Sequence, residues 1–329
     1  MDPISQAIVG SSAAQASAKK NEMGWALLIG ALAGMAPDLD ILITSKVDPM
    51  VYFEYHRHFT HSLIFIPIGA LIVSLVLHLF FKNKISFSRN YFYSILGYAT
   101  HGLLDSCTSY GTQLFWPFSD YRVAWNNVSI IDPLFTVPLI IFSMLALWKK
   151  RNIWSQLGLI WGISYLCFGA VQNYRATKFG HEVALSKGHS PKRLVAKPSF
   201  GNLFLWRIIY EHEDYFYTDA VRFGFSNKVF SGDKVKKLDV IKDFPWIHKN
   251  SQHYIDIKKF SWFSNGYLAI HPSNPNVIGD IRYSIAPNSI YPLWGIEVSP
   301  NNDQEHIKSV NFRTKSMDQR TEFLKMLWD

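Results

Sequence analysis

The chain has 329 residues, 48% of them hydrophobic and 18% charged, with 33 Lys and Arg against 25 Asp and Glu. This is too apolar for a disordered protein and long enough for two domains, each with its own core. Two cysteines exclude a disulfide framework, and no charged, apolar and small-residue cleavage pattern opens the chain, so no removed signal peptide is expected.

Charge is unevenly spread. Residues 1–171 hold eleven Lys and Arg and nine Asp and Glu, leaving 22 and 16 for the remainder. A helical membrane domain over residues 1–174 is therefore expected, then a helix and linker over 175–198 and a soluble domain over 199–329. Ile4–Ala18, rich in Ala, Ser and Gly, reads as a helix suited to close small-residue packing. Met23–Pro37, Ser62–Phe81, Asn90–Leu104, Pro133–Trp148 and Asn152–Tyr174 carry no formal charge and approach the ~20 residues that cross a bilayer. Five or six helices result. Eight of the eleven positive charges fall on alternate connections, at Lys19, Lys20, Lys82, Lys84, Arg89, Lys149, Lys150 and Arg151. Those connections are predicted to be cytoplasmic, and the others, with the C-terminal domain, to face outward.

The outward connections carry three acid and histidine motifs. Pro37-Asp38-Leu39-Asp40 ends an apolar helix, His56-Arg57-His58-Phe59-Thr60-His61-Ser62 precedes the longest apolar run, and His101-Gly102-Leu103-Leu104-Asp105 ends another. An i, i+4 pair shares one helical face with Cβ atoms roughly 6 Å apart, close enough for His101 and Asp105 to bind one ion. Each motif alone has a plainer reading, as a helix stop or an interfacial histidine, and lone His78 is read that way. Together they are different, because ionisable groups at membrane depth cost on the order of 2–3 kcal/mol each and need partners. Nitrogen and oxygen donors of this kind suit zinc, or manganese and iron less selectively.

The aromatic loop Trp116–Trp125 fits an interfacial belt or the mouth for a lipid-like substrate. Asp132-Pro133 has the residue pair of a helix start, although Asp132 also stays open as a metal or supporting group. Farther on, Arg175–Leu185 has helical spacing and Gly188–Pro198 reads as a basic linker. Phe204–Tyr210, Tyr215–Phe223, Tyr254–Phe260, Tyr267–His271 and Val277–Ser284 read as strands of a small antiparallel domain, with a terminal helix over Met317–Trp328. Asp280 and Arg282 read as a structural ion pair or a polar contact to substrate. The net charge of +6 there suits an anionic membrane surface. Acids are interspersed with the bases and no recognition motif is present, so no nucleic-acid partner is expected.

From Met1 to about Thr136 the motifs resemble the membrane-bound metal-dependent hydrolases of the YbcI/YdjM type. The shared features are Met-Asp with Gln6 and Gly10, Pro-Asp-Leu-Asp, His-Arg-x-Phe-Thr-His-Ser, His-x-x-x-Asp, Cys107-Thr108-Ser109-Tyr110-Gly111-Thr112-Gln113 and Ile131-Asp132-Pro133. That family looks distantly similar to zinc-dependent phospholipase C and a single-strand nuclease of the same helical fold. The resemblance implies phosphoester hydrolysis in a bacterial inner membrane. By position it points to Asp38, His61, His101 and Asp105 as metal ligands, with His56 and Asp40 next. His58 stands where relatives commonly have Gly, and Gln6 where others of the wider family have His.

The expectation is a mainly α, polytopic membrane domain with an outward metal site, followed by an extracytoplasmic β-rich α+β domain. A divalent ion, zinc by preference, would bring the pKa of bound water toward ~7 and supply a hydroxide nucleophile. Asp38 or Asp40 would orient that water or act as general base. Arg57 suits a bidentate grip on a phosphate oxygen, or an interfacial role. Membrane lipids and a lipid-like or phosphorylated substrate are the expected partners. Two readings of other classes stand beside the hydrolase: an ion- or proton-coupled transporter, and a non-catalytic scaffold with a structural metal. No serine-hydrolase elbow, P-loop or dinucleotide fingerprint is present.

Overall fold

The computed structural model describes residues 1–224, 226–313 and 317–328. The chain forms two compact units. The first comprises Met1–Leu42, Tyr55–Gln172 and Phe200–Asn202; the second comprises Ile43–Glu54, Asn173–Ser199 and the chain from Leu203 onward.

Helices open the fold: α1 (Pro3–Ala16), α2 (Met23–Met35) with a 3-10 turn over Ala36–Leu42, α3 (Met50–Tyr55), α4 (Ile66–Phe81), α5 (Phe87–Ser106), α6 (Pro133–Lys149) and α7 (Ile153–Ser186). Asp2 caps α1, accepting from the Ile4 and Ser5 amides at 3.1 and 3.0 Å, with Pro3 at the first helical position. A Cβ added at Gly10 would collide with the Gly30 carbonyl, and one at Gly97 would come within 2.5 Å of the same oxygen. Small residues thus let α1, α2 and α5 meet backbone to backbone. Gln15 ties α1 to α6 and α7, its Oε1 accepting from Ser143 Oγ at 2.6 Å and Ser155 Oγ at 3.0 Å.

Met23–Leu42, Leu63–Phe81 and Ile153–Ser186 are long and apolar enough to cross a membrane, and α6 is a shorter apolar helix. Ile68, Leu71, Ile72, Leu75 and Leu79 leave α4 apolar on its exposed side. α5 differs from them. It buries Asn90, Tyr93, Ser94, Tyr98, His101 and Asp105, a polar set that depends on neighbouring helices rather than on lipid. Asp132 caps α6, accepting from the Leu134 amide at 3.1 Å and from Tyr165 Oη at 2.9 Å.

In the second unit, α7 runs unbroken through Tyr174, so Arg175–Leu185 continues the helix before it. Two antiparallel sheets follow. β1 (Arg193–Pro198), β2 (Leu205–His212), β3 (Tyr215–Arg222) and β4 (Lys228–Lys236) form the first in that order. Short α8 (Val240–Asp243) and α9 (Gln252–Phe263) lead to the second sheet, β5 (Leu268–His271), β6 (Asn274–Asp280), β7 (Trp294–Glu297) and β8 (Lys308–Asn311), and α10 (Met317–Trp328) ends the chain.

Two expectations are corrected here. The second part of the basic linker is strand β1 (Arg193–Pro198), whose Leu194, Val195 and Ala196 pair with Tyr210, Ile209 and Ile208. Tyr254–Phe260 is helical, because Ser251 caps the Tyr254 amide at 3.3 Å and His253, Asp256, Ile257, Phe260 and Phe263 bury one face at spacings of three and four. Asp280 and Arg282 form the structural ion pair, with Nη2 to Oδ2 at 2.6 Å and Nε to Oδ1 at 2.9 Å.

Candidate metal centre

Three segments of the first unit bring the motif residues together. The 3-10 turn after α2 presents Asp38 and Asp40. The chain then joins the second unit over Ile43–Glu54 and returns at Tyr55. Arg57 follows with φ +64, a left-handed conformation that costs a non-glycine residue on the order of 1–3 kcal/mol. Asp40 Oδ2 offsets the strain by accepting from the Arg57 amide and from Thr60 Oγ1, both at 2.9 Å. The turn Phe59–His61 then lies against α5 at Gly102, where any Cβ would collide with the His61 carbonyl.

Hydrogen bonds fix the tautomers of the two central histidines. His101 Nδ1 donates to the Gly34 carbonyl at 2.5 Å, and His61 Nδ1 faces Asp40 Oδ2 at 3.2 Å and Thr60 Oγ1 at 3.0 Å. Each Nδ1 therefore carries the proton, and each Nε2 presents a lone pair. Those two Nε2 atoms face each other at 2.9 Å. Two lone pairs at that distance repel unless a positive charge lies between them.

Carboxylates complete the cage. Asp38 Oδ1 is 3.4 Å from His61 Nε2 and 3.3 Å from His101 Nε2, while Asp105 Oδ2 is 3.3 and 3.7 Å from the same atoms. Zinc bonds of about 2.0–2.1 Å put the corners of a tetrahedron roughly 3.3–3.4 Å apart; three of these separations match that spacing, while the Nε2–Nε2 distance is shorter and the Asp105–His101 distance longer. Asp105 Oδ2 accepts no hydrogen bond, although Arg57 Nε lies 2.9 Å away. Three carboxylates, Asp38, Asp40 and Asp105, surround His61 within 3.4 Å of its ring nitrogens, so the gap attracts positive charge.

Asp38 also belongs to a second set, with Asp40 and His56, whose donor atoms lie within 4.8 Å of one another. His56 Nδ1 is 2.8 Å from Asp40 Oδ1. Arg57 is turned inward: besides Asp105 it donates from Nη1 to Thr108 Oγ1 at 3.0 Å and lies 4.8 Å over the Tyr110 ring. Gln6 does reach the site, its Nε2 donating to Asp105 Oδ1 at 2.8 Å, an oxygen that also takes the Met1 amine. Asp2 and Asp132 are helix caps outside both sets. His58 packs on Trp116 and His78 on Phe87 instead.

The sequence motifs include Thr60, Gly102 and Thr108 but give them no role, and the Gly34 carbonyl lies outside every motif. Sequence reasoning missed Asp48, Asp256 and His306, a third set from distant segments of the second unit. There Asp256 is already satisfied by Gln252 Nε2 at 2.9 Å, His306 Nδ1 at 3.0 Å and the Ile307 amide at 3.1 Å. Lys259 also lies 4.0 Å from Asp48. This reads as an ion-pair knot.

Membrane-length apolar helices around a buried cluster of acids and histidines define an integral membrane protein. The chain belongs to the YdjM inner membrane protein family, whose profile matches residues 1–176, the part that carries every motif of the centre. It is also similar to the uncharacterized protein YfhP of Bacillus subtilis (strain 168), 32% identical over 127 residues. That match covers 38% of each chain. No solved structure matches.

Proposed function

We propose that this inner-membrane protein is a metal-dependent hydrolase, acting on a phosphoester or lipid-linked substrate at the outer membrane face. The observation that carries the reading is the pair of Nε2 lone pairs 2.9 Å apart with carboxylates at tetrahedral spacing around them. Asp38, His61, His101 and Asp105 would hold the ion, and His56 with Asp38 and Asp40 offers donors for another. Zinc supplies a Lewis acid and an activated water at neutral pH.

The chain's own residues divide the remaining work. Asp40 orients His61 and His56, one through each oxygen, and its Oδ2 is already committed to several donors. Asp38 is the solvent-side carboxylate, its side chain 24% exposed while Asp105 is fully buried. It is the better placed of the two to orient water or receive its proton. Arg57 positions Asp105 and adds positive charge where a phosphate would gain negative charge. Exposed Leu39, Ile41 and Leu42 beside the acids, and exposed Phe118 and Tyr121 on the aromatic loop, favour a substrate held in a lipid surface.

The test is hydrolysis of a fluorogenic phosphoester and of phosphatidic acid vesicles by zinc-loaded protein. Wild type should turn over at least one of them, and Asp38→Asn should lose the activity while remaining folded. No turnover of either by metal-replete protein would overturn the phosphoester reading.

A further inference from the structure

The second unit holds an open cavity of about 760 Å³, walled by β4, the turn after β5, the connection from β6 to β7, the chain just after β8, and α10. Every wall residue belongs to that unit. The charge of the cavity runs against its surroundings. Residues 172–329 carry a net +6, yet no Lys or Arg lines the cavity, whereas Asp233, Asp318 and Glu322 do. Asp318 and Glu322 stand four residues apart on α10, a spacing at which like charges weaken a helix. None of the three carboxylates makes an ion pair among the described residues. Glu322 takes a neutral hydrogen bond instead, from Asn288 Nδ2 at 2.8 Å.

Two further wall groups lack partners, one a donor and one an acceptor. His271 is only 8% exposed, and its Nδ1 accepts from the Ser273 amide at 3.1 Å. Burial pulls its pKa below the usual histidine value, so the ring is neutral at pH 7 with its proton on Nε2, and no described residue accepts that proton. Asn288 is the reverse case: Nδ2 is committed to Glu322, and Oδ1 is buried with no partner. Aromatic rings complete the wall, Phe312 at 4.5 Å and Tyr291 at 5.8 Å from the His271 ring, and Tyr291 is 40% exposed. A ligand that satisfies these groups carries a positive charge for the carboxylates and the aromatic faces, an oxygen for the His271 proton, a polar hydrogen for Asn288, and a compact ring to lie on Tyr291. We infer that the second unit binds an amino sugar in this cavity, with Asp233, Asp318 and Glu322 on its ammonium and His271 and Asn288 on its hydroxyls. The site and its test are independent of the metal centre.

Isothermal titration calorimetry of the full-length protein in detergent at pH 7 tests it with three small rings. Glucosamine should bind at least tenfold more tightly than glucose, which lacks the ammonium, and than cyclohexylamine, which lacks the hydroxyls. Asp318→Asn combined with Glu322→Gln, both at exposed positions, should weaken glucosamine at least tenfold and leave glucose unchanged. His271→Phe keeps a ring beside Phe312 and should weaken glucosamine at least fivefold. Asp239→Asn alters a helix cap outside the cavity and should change nothing. A linked glucosamine trimer separates the two sources of the sugar: tighter binding than the monomer supports a glycan chain as the ligand, and equal binding supports the free sugar. No binding of glucosamine, equal binding of either comparison ring, or full glucosamine affinity in the Asp318→Asn, Glu322→Gln protein or in His271→Phe would overturn the site.

Discussion

His61 and His101 come from segments forty residues apart, yet their Nε2 atoms face each other at 2.9 Å with both Nδ1 atoms turned to acceptors. The i, i+4 spacing of His101 and Asp105 made one helical face of the site legible in the sequence. Its closure depends on a backbone contact, the Gly102 edge of α5 against the His61 carbonyl.

Gly102→Ala should therefore damage the site without damaging the helix. Alanine is the better helix former by up to about 1 kcal/mol, so circular dichroism should show α-helix fully retained. Zinc affinity should fall at least tenfold as the Phe59–His61 turn is pushed off α5. Unchanged affinity would mean that the turn can shift without moving His61.

Arg57 separates a positioning role from a substrate contact. Its charge is buried against Asp105 Oδ2 at 2.9 Å, and breaking such a pair costs about 3–5 kcal/mol. Arg57→Ala should lower zinc retention as well as activity, and Arg57→Lys should not restore it, because a lysine lacks the fork that reaches Asp105 and Thr108 together. Full zinc with reduced turnover would instead assign Arg57 to the substrate phosphate.

Lys197 on β1 offers a test in the second unit. Its ammonium is buried over the Tyr283 ring at 3.8 Å, and burial, with Arg282 nearby, lowers its pKa well below the ordinary lysine range. A base whose pKa is depressed on folding destabilises the fold while its unfolded form is protonated. The penalty is full below the lowered pKa and shrinks as pH rises from there toward the ordinary lysine value. Lys197→Met should raise the unfolding midpoint at pH 7 by roughly 2–4 °C for each kcal/mol recovered, and the gain should narrow at pH 10.

Topology follows from the lysine and arginine asymmetry. Single cysteines at Lys84 and Lys150 should label only from the cytoplasm, and one at Ser226 only from outside. Labelling of Lys84 and Ser226 from the same side would remove the outward-facing site.

Much of the membrane unit could be read directly, since uncharged runs and charged connections report the solvent that each meets. The sheets were harder. β1 hid because Arg193, Lys197 and Pro198 look like a linker, and Arg193 is accommodated by tertiary partners, Glu211 at 2.7 Å on the facing strand and the Asn265 carbonyl at 2.6 Å. α9 hid because Tyr254, Ile257 and Phe260 have strand-like side chains at helical spacing. The site ligands showed as motifs, but Asp40's two-sided support of His56 and His61 did not, because one carboxylate's division between two histidines is set by tertiary contacts.

Metal analysis of purified protein tests the central claim most directly. Wild-type protein loaded with zinc and desalted should retain at least one ion per chain. His101→Ala and Asp105→Ala should each lose it while staying folded and membrane-inserted, and His78→Ala should keep it. A folded wild type that retains no divalent ion, or a His101→Ala protein that retains as much as wild type, would contradict a metal ion between His61 and His101.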